Sequence, residues 1–133
     1  MEIKTISIKS KYQENIKSID EERKKLEEIV HNIYNRFINE NNKNNLDYAL
    51  EVLKEYRFIP NKYIIPNGRY IRYIDTKDTK DMKLKLGGFV ISDNGYSTTY
   101  KSKTNLVKLS KKHCIIFVLI THAEKLAVAL TNI

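Results

Sequence analysis

The hydrophobic repeat of this chain changes period part-way along, and that change restricts the fold to one with both helices and sheet. Up to about residue 58, apolar residues recur at helical spacing. After Pro66 they alternate in short runs punctuated by turn residues. Helices first and strands afterwards is the pattern of an α+β protein rather than of alternating β-α-β units.

The helical half is read from one seam. Tyr12, Ile16, Ile19, Arg23, Leu26, Val30, Ile33 and Phe37 follow strict +4, +3 steps, with Arg23 the sole polar member. No Gly or Pro interrupts residues 12–42, which predicts one long helix there. Ile29, Tyr34 and Ile38 widen the stripe, as expected for packing into a core. A parallel homodimer on this seam would oppose Glu22 and Glu27 on facing flanks, so an antiparallel partner helix is favoured over a homo-oligomer through helix 12–42. The Asn-rich run 39–45 predicts a loop, and Leu46, Ala49, Leu50, Leu53 and Tyr56 resume helical spacing behind Asn45 as N-cap. Residues 1–58 thus read as an antiparallel helical hairpin. The alternating segment 3–8 reads as a strand able to add to the second half.

Pro60 and Pro66 mark the boundary. Strands are predicted near 69–75, 83–92, 96–101, 105–109 and 114–121. Asn67-Gly68 and Asp93-Asn94-Gly95 serve as turns, Gly87-Gly88 as a bulge or sharp bend, and 123–130 as a terminal helix. Five short strands predict a small antiparallel barrel of SH3-like type over residues 59–133.

Charge separates the two halves. Residues 1–58 hold eleven basic and eleven acidic side chains, whereas residues 59–133 hold thirteen and five, the whole of the +8 net charge. Lys, Ile, Asn and Tyr make up 59 of the 133 residues, a usage that fits AT-rich codons. Such a bias acts on both halves alike, so the asymmetry calls for another cause. A basic half suits an anionic partner, either nucleic acid or an acidic protein surface. The plain alternative is a solvated basic face that aids solubility.

Motifs for chemistry are missing where they would be expected. Asp75, Asp78 and Asp81 are spaced by three with Lys77 and Lys80 between them, unlike a calcium loop, and read as a polar hairpin loop. His113 and Cys114 are strand neighbours pointing to opposite faces, so they form no nucleophilic pair, and Cys114 reads as core. His31 and His122 lack zinc spacing, and no phosphate-loop or dinucleotide fingerprint occurs. The expectation is a non-enzymatic protein without cofactor or metal. The lone cysteine fits a reducing, intracellular compartment. Residues 1–11 lack a signal-peptide core, and the longest apolar run, 114–120, is too short to span a membrane.

Aromatics interleave with cations in the second half, an arrangement that can stack bases while cations track phosphates. The candidate nucleic-acid-binding residues are Arg69, Tyr70, Arg72, Lys83, Lys85, Lys101, Lys103, Lys111 and Lys112. Tyr70, Arg72 and Ile74 share one strand face, and Arg69, Ile71 and Tyr73 the other. Tyr73 and Phe89 are expected in the core. Tyr70 and Arg72 are either a surface site or a core edge.

The run Gly68-Arg-Tyr-Ile-Arg-Tyr73, with Gly87-Gly88-Phe-Val90 downstream and Ile115-Ile-Phe117 closing the unit, resembles small uncharacterised proteins of giant nucleocytoplasmic DNA viruses. The resemblance covers roughly residues 66–125. It implies a viral protein acting inside the host cell, in cytoplasm or nucleus, or carried in the virion. It transfers no catalytic residue. The function expected is a viral adaptor that binds DNA or RNA through the basic half. The alternative is a structural or virion-assembly protein that binds another protein, with the helical hairpin as the assembly element.

Overall fold

The computed structural model describes residues 18–37, 39, 42–78, 80 and 82–131. The expected strand at 3–8, the seam residues Tyr12 and Ile16, and Asp81 lie outside the described residues. The chain is α+β: the described residues form two helices, then a six-stranded antiparallel sheet, then a further helix.

Helix α1 (Ile19–Phe37) starts behind Ser18, whose hydroxyl accepts the Glu21 N–H at 3.4 Å. Acidic residues in its first turn and Arg36 in its last complement the helix dipole. It ends sooner than the uninterrupted pattern suggests. The N–H of Asn39 donates to the Asn42 side chain at 2.9 Å and that of Asn42 to the Asn39 side chain at 3.1 Å, which turns the corner. Helix α2 (Lys43–Val52) therefore begins before Asn45, which lies inside the helix rather than capping it. A short 3₁₀ turn (Leu53–Glu55) follows. Tyr56, expected at the end of the second helix, instead opens strand β1 (Tyr56–Phe58).

The remaining strands are β2 (Tyr70–Asp75), β3 (Leu84–Asp93), β4 (Ser97–Ser102), β5 (Asn105–Ser110) and β6 (Cys114–Leu119). Their order across the sheet is β1-β6-β2-β3-β4-β5, all antiparallel. This corrects the expected five-stranded SH3-like barrel. Closure needs the two edge strands to pair, and here β1 and β5 stand at opposite ends of an open sheet. Helix α3 (His122–Thr131) follows β6, its start fixed by a capping box in which Thr121 and Glu124 bond each other's backbone N–H at 3.1 and 3.0 Å.

Both faces of the sheet bury apolar side chains. On one, Leu26, Val30 and Tyr34 of α1 and Ala49 of α2 pack with Ile74, Leu84 and Phe117. On the other, Ile71, Val90, Tyr100, Leu109 and Ile116 pack under Ile59 and Ile65 of the segment between β1 and β2. The α1 stripe thus enters a core, and Arg23, its polar member, is exposed.

Tyr34 is fully buried, and its hydroxyl donates to the carbonyl of Met82, tying α1 to the start of β3. Burial pushes its pKa up to about 12. The folded value lies above the unfolded value of ~10, so the protonated phenol stabilises fully below pH ~10, and this contribution disappears as pH rises through about 12. Urea melts across the alkaline range should show stability falling in that window. Tyr34→Phe should flatten the fall and cost ~1–3 kcal/mol at neutral pH, because the Met82 carbonyl loses its donor. An unchanged alkaline slope in the variant would assign the loss to other tyrosines.

Candidate nucleic-acid interface

Antiparallel partners lie on the same face of a sheet. Tyr70 opposes Phe89, Phe89 opposes Lys101 and Lys101 opposes Leu106, so these four side chains form one row across β2 to β5. The row lies on the helix-bearing face, which Tyr70 shares with Ile74. Arg72 opposes Leu86 in the next row on the same face, and Lys108 opposes Thr99. The helices reach Tyr70, which packs against their core. Beyond it the sheet stands in solvent: Leu86 is 69% exposed, Phe89 57% and Leu106 64%.

Phe89 therefore departs from the core position expected of it. Its ring is held against Tyr70 in an edge-on contact, centroids 5.2 Å apart and planes at 70°. Tyr73 packs partly buried on the opposite core, 6.0 Å from the Tyr100 ring. Arg72 is half-buried. Burial raises the pKa of the Tyr56 phenol, the positive charge of Arg72 pulls it back and Tyr70 adds to the rise, which groups these three near one another at the inner edge of the row.

The nine sequence candidates divide. Tyr70, Arg72 and Lys101 share the face just described. Lys103 stands exposed at the tip of the β4–β5 hairpin, in a left-handed conformation with φ of 54°. Lys83 and Lys112 are exposed at the ends of β3 and β5. Lys85, opposite Tyr73, lies on the other face and approaches Asp78 at 3.9 Å. Arg69 is turned inward, paired with Glu124 and donating to the Leu119 carbonyl at 2.8 Å, which fastens α3 to the sheet. Lys111 is buried and meets Asp93 at 2.8 Å and the Tyr63 carbonyl at 2.6 Å. Sequence reasoning left out Leu86, Leu106 and Lys108. For Leu106 and Lys108 the signal was their alternation along a strand predicted correctly.

Away from this face, a concavity lined by Phe58, Tyr63, His113 and Cys114 opens where β5 turns into β6. Burial, with help from the charge of Asp75, pushes the Cys114 thiol up to about 11, so it is protonated at neutral pH and a poor nucleophile. Among the described residues no three His, Cys, Asp or Glu side chains converge as metal ligands, and no helix is long and apolar enough to cross a membrane. Asp75 instead accepts the Lys77 N–H at 2.9 Å, shaping the loop after β2. Compared with known protein families, curated proteins and solved structures, the chain matches none.

Proposed function

We propose that the chain is a non-enzymatic adaptor that binds nucleic acid through the lysine-rich outer strands of its sheet, with the helices available for assembly or partner contacts. One observation carries the reading. Residues 83–112 contain seven lysines and a single acid, Asp93, and that acid is buried against Lys111. The field that β3, β4 and β5 present to solvent is thus built from lysines alone. An anionic polymer gains from such a surface by releasing its counterions. The viral setting, within the host cell or the virion, is the part of the proposal that rests on the sequence resemblance.

A structural protein that meets an acidic protein surface is the second reading. What favours it is α3, where Leu126 and Leu130, one turn apart, are both exposed.

Titrating the full chain with labelled oligonucleotides at several salt concentrations tests the proposal. The logarithm of affinity should fall linearly with the logarithm of salt. With the five lysines Lys83, Lys101, Lys103, Lys108 and Lys112 all engaged, the slope reaches about −4.5 on duplex and about −3.5 on single strands. Replacing Lys101 and Lys108 by Gln should lower the slope by about two contacts. No binding to any oligonucleotide at low salt would end the nucleic-acid reading.

A further inference from the structure

We propose that the outer part of the helix-bearing face takes single-stranded rather than double-stranded nucleic acid, with a base stacked on Phe89. The inference rests on the nucleic-acid reading above and adds the class of ligand and the residue that selects it. Phosphate binding requires cations only, and a duplex keeps the faces of its bases stacked inside. A surface built for a duplex backbone has no use for exposed apolar side chains at its centre. Here Phe89, Leu86 and Leu106 are the exposed centre, on the same face as Lys101 and Lys108.

Adjacent strands lie ~4.8 Å apart, so Phe89 and Leu106 stand about 10 Å from each other with Lys101 between them. That spacing offers an apolar seat for a base on either side of a cation for the intervening phosphate. The edge-on contact with Tyr70 braces the Phe89 ring from one side, and more than half of the residue's surface stays open to a ligand. Stacking on an aromatic ring tolerates any base, so the expected preference is for strandedness rather than sequence. Charge complementarity fixes the occupant's sign, since strands β3 to β5 hold no solvent-facing acid.

The test compares a single-stranded dT oligonucleotide with a hairpin duplex of equal phosphate number, by anisotropy, on the full chain. The single strand should bind more tightly. Phe89→Ala should weaken dT binding roughly 5- to 100-fold, leaving duplex binding and the salt slope unchanged, because the phosphate contacts remain. The exposure of Phe89 makes the variant well tolerated by the fold. A second variant guards the interpretation: the chain has no tryptophan, so Phe89→Trp provides a single tryptophan, excited at wavelengths the nine tyrosines do not absorb, that keeps the stacking surface. Its emission should be quenched by dT and not by the duplex. Equal affinity for the two forms, or a silent Phe89→Ala, would overturn this proposal while leaving polyanion binding standing. Binding of an acidic polypeptide with no binding of either oligonucleotide would overturn both.

Discussion

Gly87→Ala and Gly88→Ala are each expected to destabilise the protein by ~4 kcal/mol or more, among the largest effects a single methyl can have. A Cβ on Gly87 would stand 2.1 Å from the carbonyl oxygen of Ile71, and one on Gly88 2.1 Å from that of Lys101. Both obstacles are backbone of neighbouring strands, so relief requires β2 or β4 to move away from β3. The two glycines occupy the middle of the longest strand. Between Ile71 and Arg72 the register slips and Gly87 is the extra residue. Gly95 is the control. Its φ of +90° strains any other residue, yet nothing lies within 4 Å of its added Cβ, so Gly95→Ala should cost only ~1–2 kcal/mol. Chemical denaturation of the three variants checks the ranking. Near-native stability of Gly88→Ala would mean that β3 and β4 do not approach this closely.

Lys111→Met is expected to cost ~3–5 kcal/mol, because it strands a charge in the interior. Asp93 has a fully buried side chain and Lys111 one that is only 4% exposed. Besides Lys111, the Asp93 carboxylate accepts from the Ile65 N–H at 3.0 Å, the Gly95 N–H at 2.8 Å and the Thr98 hydroxyl at 3.0 Å. One carboxylate thus holds the β3–β4 turn and the segment covering the second core. Adding Asp93→Asn to Lys111→Met removes the orphaned charge but keeps an acceptor for Ile65 or Thr98. The double variant should therefore be more stable than Lys111→Met alone. A double-mutant cycle with no coupling would show that the two groups act independently. Below its melting temperature, Lys111→Met should bind oligonucleotides as the wild type does, since this lysine never faces solvent.

Five of the six strands were legible from the sequence within a residue or two, because their turns are signalled by Asn67-Gly68 and Asp93-Asn94-Gly95. The terminal helix was legible too. Strand β1 was hidden: it is three residues long, and Tyr56 happens to continue the helical spacing of Leu46, Ala49 and Leu53. Whether the sheet closes was not legible, since closure depends on which strands meet rather than on what each is made of. On the candidate site, alternation placed Tyr70 and Arg72 on one face as observed. The same alternation fails across β3. Read through 84–90, it puts Leu84 and Val90 on one face. The extra residue at Gly87 resets the parity, sends Val90 to the second core, and leaves Phe89 on the helix-bearing face beside the solvent. Lys111 was assigned to the interface because its partner, Asp93, is brought to it only by the folding of β4 and β5 between them.

The position of β6 bears on how the chain can be made. Strands β1 and β2 are consecutive in sequence yet do not pair; β6 sits between them, and Tyr56 finds its partner at Leu119, more than sixty residues away. During synthesis the helices and β1 emerge long before the strand that supplies Phe117 to their shared core and Ile116 to the other. A nascent chain that ends before Cys114 holds an empty slot, flanked on both sides by strand edges that have nothing to pair with. Such contacts, distant in sequence, are slow to form and leave the intermediate open to wrong partners. Until the sixth strand arrives, any extended segment of suitable register, from this chain or another, competes for its place.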